Sequence, residues 1–435
     1  MNQWHGQHVY VMGLGRFGGG IGVTRYLVEQ GATVLVGDMG DVNGLEDSIK
    51  QLQDLIDDGS VRISLGNHQA SDLDGIGSLV VNPAVPRPWE NQFISLARSR
   101  GITVTTEIEI AYRMLDPSNV IAVTGSAGKS TTCAMIHHVL QSMGYGSVLG
   151  GNIGGSLLAD LEVIENGAVV VLELSSAMLY WLGESGVLNV SPPKVGCVNN
   201  CVANHLDWHG SVGHYTQSKQ ILARIAKNLV LGESVSDWGT GDQCVVSEDH
   251  WVQGCSVPGK HNGLNAAMAA RAVQAMTGGE LETIEDVVRS FEGLPHRLQL
   301  VHKCDGVLFY NDSKCTVPDA TVLAVEALLP RSRIHLIAGG YDKGSDLSPI
   351  SQMSAGLAGL YAVGSTGASI AEAADANAFA CGDLDRAMGM IRSRLADGDV
   401  VLLSPGCASW DQFTNYEERG DRFIELARSM QGDRV

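Results

Sequence analysis

The sequence predicts an α/β protein built from mostly parallel sheets, and two observations lead to that prediction. Short apolar runs recur along the 435 residues, and each ends in Gly, Asn, Asp or Ser before a helical pattern begins. This alternation is typical of parallel sheets, whose functional residues lie at the carboxyl ends of strands. The predicted strands include residues 8–12, 33–36, 78–81, 120–123, 169–172, 195–198, 307–310, 333–337 and 400–403.

Two breaks in this pattern predict domain boundaries. One surrounds residues 116–118 (Asp-Pro-Ser), and the other surrounds residues 293–296 (Gly-Leu-Pro-His). The prediction is three domains, at residues 1–116, 117–296 and 297–435.

Composition restricts the possible partners and the cellular compartment of the protein. The formal charge is −19, and the chain has no basic run that could neutralise phosphates, which argues against a nucleic acid or an anionic membrane as partner. The N-terminus lacks a signal-peptide pattern, and no apolar run approaches the roughly 20 residues that span a bilayer. Nine cysteines scattered through a long chain fit reduced thiols in a cytoplasm.

A glycine loop follows the first predicted strand. Gly13, Gly15 and Gly18 open a helical pattern, and Asp38 ends the next strand, which together match a dinucleotide-binding fingerprint. The glycines allow close approach of a pyrophosphate, and the carboxylate accepts hydrogen bonds from a nucleoside. NAD(P), another pyrophosphate nucleotide such as UDP, and a purely structural turn all remain open on these residues.

A second glycine loop, Gly125-x-x-Gly128-Lys129-Ser130, follows the strand at residues 120–123. The amphipathic pattern behind it predicts a helix that stops at Gly144. Backbone N–H groups of such a loop bind phosphates, the lysine reaches the terminal ones, and the serine hydroxyl can ligate Mg²⁺. This frame predicts a nucleoside triphosphate site.

Two further residues of the middle segment are candidate metal ligands. Glu173 ends a buried strand, where a carboxylate is costly unless it meets a cation. His205 is a candidate ligand of a phosphate-bound metal. Cys197, Cys201, His205 and His209 fall four apart, but the predicted strand at 195–198 argues against a zinc site. Locally, Lys219 looks like an ordinary surface lysine of a helix.

Three strand-end clusters mark the last domain: residues 311–314, 339–343 and 404–409. Their Lys and Ser side chains suit recognition of carboxylates and phosphates. Three such clusters at successive strand ends in one domain predict a binding site.

Taken in order, these and further motifs resemble the Mur ligase family over about residues 8 to 423. The motifs are Gly125-Ser-Ala-Gly-Lys-Ser-Thr131, Gly151-Asn-Ile-Gly154, Glu173-Leu-Ser-Ser176, Asn204-His-Leu-Asp207, His261-Asn262-x-x-Asn265, Leu294-Pro-His-Arg297, Asn311-Asp-Ser-Lys-Cys-Thr316, Gly339-Gly-x-x-Lys343 and Ser404-Pro-Gly-Cys-Ala-Ser-Trp-Asp-Gln-Phe-x-Asn-Tyr416. The resemblance implies a Rossmann-like UDP-substrate domain, a central P-loop ATPase-like domain and a Rossmann-like amino-acid domain, in that order. Ser126-Ala127 stands where Thr-Asn is usual.

The resemblance also implies residue roles. Lys129, Glu173, His205 and Lys219 would be catalytic, and two Mg²⁺ ions would be held by Ser130, Glu173, His205 and Lys219, with Lys219 carbamylated by CO₂. ATP would contact Gly125, Ser126, Ala127, Gly128, Lys129, Ser130, Thr131, Asn262, Asn265, Arg297 and Asp312. The UDP-substrate would contact Gly13, Gly15, Asp38, Asn82 and Asn152, and D-glutamate would contact Thr316, Lys343, Ser409 and Tyr416.

The Glu-Leu-Ser-Ser, Asn-Asp-Ser-Lys and Asp-Gln-Phe-x-Asn motifs resemble the branch that adds D-glutamate to UDP-N-acetylmuramoyl-L-alanine. The implied reaction phosphorylates the alanyl carboxylate with ATP and lets the amine of D-glutamate attack the acyl phosphate. The implied setting is cytoplasmic peptidoglycan precursor synthesis by a monomer, with no nucleic-acid or membrane partner.

Other functions remain to be weighed against this one. A sister ligase could add a different amino acid. A nicotinamide-dependent oxidoreductase built on Gly13–Gly18 would leave Lys129, Glu173 and His205 unexplained. A GTPase-like switch would need an Asn-Lys-x-Asp motif, which the sequence lacks.

Overall fold

The computed structural model describes residues 3–15, 19–239 and 243–430. In them, the strands form three sheets. The chain divides into two compact units, the first comprising Met1–Trp251 with Leu264–Val288 and the second Val252–Gly263 with Arg289–Val435. The first unit contains two of the sheets and the second unit contains the third. The predicted domain boundaries at 116/117 and 296/297 stay a prediction.

The first sheet has the strand order β3-β2-β1-β4-β5, and its neighbouring strands are parallel. This order is that of a Rossmann-like sheet, as predicted, and places the loops after β1, β2 and β4 at one edge. Its strands are β1 His8–Met12, β2 Thr33–Asp38, β3 Val61–Leu65, β4 Ser78–Val81 and β5 Thr103–Thr105. Its helices are α1 Gly19–Glu29, α2 Val42–Lys50, α3 Gln53–Asp57, α4 Gln92–Ser99 and α5 Glu107–Tyr112.

The second sheet has the order β11-β10-β9-β6-β8-β7, again with parallel neighbours. Its central strands are buried along their whole length, which explains their continuous Val, Ile and Leu runs. The strands are β6 Val120–Thr124, β7 Ser147–Gly151, β8 Val169–Glu173, β9 Val195–Val198, β10 Asn228–Gly232 and β11 Gln243–Val246. The helices are α6 Lys129–Ser142, α7 Leu161–Glu165, α8 Ser176–Glu184, α9 Val187–Val190, α10 Leu206–His209, α11 Val212–Ile225, α12 Lys260–Thr277 and α13 Leu281–Arg289.

The third sheet has the order β12-β13-β17-β14-β15-β16. The first pair is antiparallel and the remaining neighbours are parallel, so the sheet is mostly parallel, as predicted. The strands are β12 Gln299–Cys304, β13 Val307–Asn311, β14 Ile334–Gly339, β15 Gly359–Val363, β16 Ala378–Gly382 and β17 Val400–Leu403. The helices are α14 Pro318–Ala327, α15 Ser348–Gln352, α16 Gly367–Glu372, α17 Leu384–Arg392 and α18 Tyr416–Arg428.

The buried apolar side chains form several clusters within each unit. One cluster of buried side chains in the first unit joins residues from both of its sheets, such as Val34 and Val170. In the second unit, alternate residues of β14 enter different clusters, with Leu336 on one face of the sheet and Ile337 on the other. Both faces of the third sheet are therefore covered, as a doubly wound sheet requires.

Short 3₁₀ helices connect several elements. They span Ala70–Leu73, Pro117–Asn119, Leu157–Ala159, Glu233–Trp238, Glu248–His250, Arg331–Arg333 and Ser354–Gly356. The helix that follows the second glycine loop ends at Ser142, and Gly144 just beyond it has φ +83°, which confirms the predicted stop.

Candidate active site

The second glycine loop lies between β6 and α6, as the sequence predicts. Gly128 caps the helix with φ +81°, and a Cβ atom there would lie 2.3 Å from Asn265 Oδ1. Only glycine fits this position, because both the backbone angle and the close neighbour exclude a side chain. Lys129, Ser130 and Thr131 form the first turn of the helix, where the positive end of the helix dipole favours an anion.

Two lysine ammonium groups converge on one carbonyl of this loop. Lys129 Nζ donates to Gly125 O at 3.0 Å, and Lys219 Nζ donates to the same oxygen at 2.8 Å. Lys219 Nζ is also 3.3 Å from Thr124 Oγ1. Lys129, together with Lys219 when it is protonated, gives the loop a positive potential that suits a polyphosphate.

Lys219 is only 1 % exposed, so the local interpretation of it as a surface lysine is wrong. It lies on α11 with Tyr215, Ser218, Leu222 and Ala223, which are all buried on the same helix face. That helical spacing is present in the sequence and could have revealed the burial. Burial, together with the nearby charge of Lys129, lowers the pKa of Lys219 to about 7.

Glu173 ends β8 and is 1 % exposed. Its Oε1 atom accepts a hydrogen bond from Asn152 Nδ2 at 2.9 Å, whereas its buried Oε2 atom has no hydrogen-bond partner among the described residues. Asn152, predicted at the UDP-substrate, therefore orients this carboxylate. A buried carboxylate oxygen without a partner is costly, and a cation would satisfy it.

His205 precedes α10 and adopts a left-handed backbone, with φ +51°. The residue is exposed overall, but partial desolvation of its ring and the nearby charge of Lys129 lower its pKa. The imidazole is therefore neutral at physiological pH, which is the form that binds a metal. The predicted strand at 195–198, which argued against the Cys/His zinc stripe, is confirmed as β9.

Several residues that shape the loop were not singled out from the sequence. Asn200 Oδ1 accepts hydrogen bonds from the amides of Ser126 and Ala127, at 3.1 and 3.0 Å. The Ser126 hydroxyl lies 2.7 Å from the Tyr215 hydroxyl. These contacts fix the two residues that depart from the family pattern, and an asparagine in a loop carries no sequence signal for them.

The two asparagines of the His-Asn-x-x-Asn motif have different surroundings. In the first unit, Asn265 Oδ1 lies 3.4 Å from Asn199 Nδ2 and beside Gly128, so it lies next to the phosphate loop. In the second unit, Asn262 Nδ2 donates to Pro258 O at 2.8 Å. Their predicted position at adenine stays a prediction.

The predicted UDP-binding residues of the first sheet come together. Asp38 Oδ2 accepts from the amide of Gly15 at 3.1 Å. A Cβ at Gly13 would lie 2.9 Å from the Cβ of Asn82, so the loops after β1 and β4 are in contact. Arg16, Phe17 and Gly18 lie outside the described residues.

The three clusters of the second unit lie at neighbouring strand ends. They follow β13, β17 and β14, which are adjacent in the third sheet. Ser404 Oγ donates to Asp312 Oδ2 at 2.7 Å, and the amide of Tyr341 donates to Ala408 O at 2.8 Å. Burial raises the pKa of Asp312 to about 6. The clusters therefore lie at one edge of the sheet, as predicted.

The predicted D-glutamate residues differ in exposure at this edge. Lys343 is exposed, and its Nζ lies 4.5 Å from the ring centroid of Trp410. Ser409 is 2 % exposed. Thr316 and Tyr416 are half-buried, as is Arg297, whose amide donates to Leu294 O at 3.2 Å. Burial raises the pKa of Tyr416 to about 12.

Arg419, on α18, binds two of the three clusters together. Its guanidinium donates to Ser313 Oγ and O, at 3.0 and 2.7 Å, and to Cys407 O at 3.1 Å, and the side chain is 2 % exposed. These bonds satisfy a buried cation through backbone and hydroxyl oxygens.

Comparison with known proteins identifies solved structures of the same fold and sequence relatives. The structure of UDP-N-acetylmuramate-alanine ligase MurC from Thermotoga maritima is similar with a TM-score of 0.58 and 18% identity, over 97% of this chain and 99% of that one. A MurF ligase from the same organism, in complex with ADP, has a TM-score of 0.54 and 16% identity, over 98% of this chain and 96% of that one. At these identities the likeness concerns the fold.

Sequence relatives are closer. A UDP-N-acetylmuramoylalanine--D-glutamate ligase from Pelotomaculum thermopropionicum is 35% identical, over 97% of both chains. One from Lactococcus lactis subsp. cremoris is 32% identical, over 98% of both. Family models for the Mur ligase middle domain and for the Mur ligase glutamate ligase domain match residues 123–232 and 296–407.

The fold and the glycine loop define a P-loop α/β enzyme that uses ATP to form an amide bond. The chain belongs to the Mur ligase family. This membership does not favour a nicotinamide-dependent oxidoreductase. None of the described helices is long and apolar enough to cross a membrane.

Proposed function

We propose that the protein joins D-glutamate to UDP-N-acetylmuramoyl-L-alanine, with hydrolysis of ATP to ADP and phosphate. The observation that carries the proposal is the set of relatives named as D-glutamate ligases, which are 31–35% identical over nearly the whole chain. The proposed setting is cytoplasmic peptidoglycan precursor synthesis, by a monomer. The predicted domains of residues 1–116, 117–296 and 297–435 would hold the UDP-substrate, ATP and the amino acid.

In the proposed reaction, an oxygen of the alanyl carboxylate attacks the γ-phosphorus of ATP, which forms an acyl phosphate and releases ADP. The free amine of D-glutamate then attacks the acyl carbon, loses a proton and expels inorganic phosphate as the amide forms. Little covalent chemistry is left for the protein, whose task is to position the groups and neutralise charge. Lys129 would turn from Gly125 O towards the terminal phosphates.

The residues predicted as metal ligands fit Mg²⁺ by the chemistry of their donor atoms, and we propose that the site holds this ion. Glu173 Oε2, which has no hydrogen-bond partner among the described residues, and the Ser130 hydroxyl are hard oxygen donors. Neutral His205 would add a nitrogen donor. When bound, two Mg²⁺ ions would neutralise charge on the phosphates. Asn152 would keep Glu173 in one orientation for this purpose.

Lys219 is proposed to be carbamylated. Its pKa of about 7 leaves much of the amine unprotonated at neutral pH, and only that form adds CO₂. The addition forms an N–C bond and releases one proton, which turns a cation into a carboxylate-like pair of oxygens. Lys219→Ala should therefore be nearly inactive and partly rescued by acetate or bicarbonate. A variant with near wild-type activity would exclude the carbamate.

The test of the function is phosphate release with UDP-N-acetylmuramoyl-L-alanine, ATP and one amino acid at a time. We expect turnover with D-glutamate and far less with L-glutamate, D-lysine or L-alanine. Turnover with one of the others in place of D-glutamate would identify a sister ligase. Phosphate release that is independent of the UDP-substrate would contradict the proposal.

A further inference from the structure

A tryptophan links the loop that follows β4 to the turn that carries His205. The indole Nε1 of Trp208 donates to Pro83 O at 3.0 Å, and the amide of Arg87 donates back to Trp208 O at 3.3 Å. Both partners lie in the first unit, and Trp208 is 6 % exposed. Pro83 directly follows Asn82, which the sequence predicts at the UDP end of the substrate.

The turn that carries His205 is held rigidly to Trp208. The amides of Trp208 and His209 both donate to His205 O, at 3.1 and 2.9 Å. On the other side, His209 Nε2 lies 2.9 Å from Ser176 Oγ, the first residue of the helix after Glu173. The single helical turn of α10 thus contacts the loop after β4 through Trp208 and the start of α8, just after Glu173, through His209.

Aromatic packing supports the same link. Trp89, from the loop after β4, lies 5.7 Å from Trp208 and 4.4 Å from His214 between ring centroids. Tyr180 lies 5.6 Å from Trp208. The contacts of Trp208 with Trp89 and Tyr180 are edge-to-face, which fixes ring orientation as well as burying area, so we expect a shift of one loop to displace the other.

One residue in each of the two linked segments has an unfavourable backbone conformation that its surroundings must stabilise. Arg87 and His205 are not glycines, yet their φ angles are +44° and +51°. Such residues keep a left-handed conformation only where the surroundings hold them there. Each lies in a segment that Trp208 ties down.

We propose that Trp208 is a positioning residue that couples occupancy of the UDP pocket to the placement of His205. The proposal rests on the proposed function, because it takes UDP as the ligand of the loop at Asn82. By reciprocity, a ligand that orders the loop at residues 82–90 orders the turn at residues 204–209, and a ligand at the turn strengthens binding of UDP.

The test is hydrogen–deuterium exchange of the whole protein with and without UDP, in the absence of ATP and Mg²⁺. UDP lacks the muramoyl-alanine part, so protection of residues 204–209 would be transmitted rather than direct. We expect slower exchange in both 82–90 and 204–209. Protection of 82–90 alone would overturn the proposal. No protection anywhere in the first sheet would count against the proposed function itself.

Two variants sharpen the test. Trp208→Phe keeps a ring but loses the bond to Pro83 O, so UDP should protect 82–90 but not 204–209. Trp181→Phe is the matched control, because Trp181 is 3 % exposed and its indole N–H has no hydrogen-bond partner among the described residues.

The Mg²⁺ dependence of activity gives a second measurement. Loss of one hydrogen bond predicts that the Mg²⁺ concentration needed for half-maximal activity rises by about 2- to 10-fold in Trp208→Phe. A Trp208→Phe enzyme with the wild-type exchange pattern would overturn the proposal.

Discussion

The two lysines at the strand-end sites lie in opposite environments. Lys219, beside the loop after β6, is 1 % exposed and has a pKa of about 7. Lys343, after β14, is exposed and lies over the ring of Trp410. Burial changes the chemistry of the first amine, whereas the second lies at the surface, where a carboxylate in water can reach it. We therefore propose that the same type of side chain serves reaction chemistry in one unit and recognition in the other.

The contrast extends to the neighbours. In the first unit, Glu173 and Lys219 are both buried, so solvent does not replace a contact that a substitution there removes. In the second unit, solvent can replace a lost contact at Lys343. Substitutions should therefore be far more costly at the buried site.

The largest effect is expected for Glu173→Gln. The amide keeps the shape but removes the charge that would balance a cation, so phosphate release should fall by about 10³-fold. Glu165→Gln, at the exposed end of α7, is the control and should keep wild-type activity. Equal activity of the two variants would remove Glu173 from the metal site.

Lys129→Ala should follow. It removes one of the two ammonium groups that donate to Gly125 O, and with it the charge stabilisation of phosphoryl transfer. We expect a loss of about 10²-fold or more in kcat with ATP. Circular dichroism should be unchanged, since the side chain is only half-buried. Near-normal turnover would contradict the phosphate-cradle interpretation of the loop.

Lys219→Met tests whether the buried amine makes the free energy of unfolding depend on pH. Between pH 7 and 10.5 the unfolded lysine binds a proton that the native amine has lost, so wild-type stability rises with pH in this window. The rise should be about 2 kcal/mol from pH 7 to pH 9 in CO₂-free buffer, and it should be absent in Lys219→Met. Urea unfolding at the two pH values measures it. Parallel pH profiles would show that the native amine is not perturbed.

The smallest effect is expected at the exposed site. Trp410→Leu removes a cation–π contact of about 0.5–1 kcal/mol, so the KM for D-glutamate should rise by about 2- to 5-fold. Trp410→Phe keeps a ring and should stay near wild type. The KM for ATP should not change in either variant. A rise of the ATP KM equal to that for D-glutamate would show a general rather than a local effect.

The strands named from the sequence were predictable because each is a short, largely apolar run, whereas strands such as β12 mix polar and apolar residues. The bounds of β1, β4, β9 and β17 agree with the prediction. The error at the start of β14 has a simple cause, since Arg333 ends a 3₁₀ helix that no apolar pattern marks. Resemblance, not periodicity, supplied the predicted role of Lys219, although the helical spacing of its apolar neighbours indicated that it is buried.

Other parts of the site depend on contacts between distant segments. Asn200 and Ser126 are 74 residues apart, and Trp208 and Pro83 are 125 apart. Nothing in a local pattern distinguishes such an asparagine or tryptophan from a loop residue. The pairing of β6 with β9 brings Ser126 and Asn200 together, whereas Trp208 and Pro83 meet where segments of the first and second sheets pack.

The buried Arg419 has a consequence for the order in which the chain is made. Its three hydrogen-bonded oxygens belong to the loops after β13 and β17, yet it lies on α18, which follows both. During synthesis these loops leave the ribosome before the residue that ties them together. The edge of the third sheet is therefore completed last. A nascent chain that stops before α18 contains the lysines and serines of that edge but lacks the hydrogen bonds of Arg419 that hold the two loops in place.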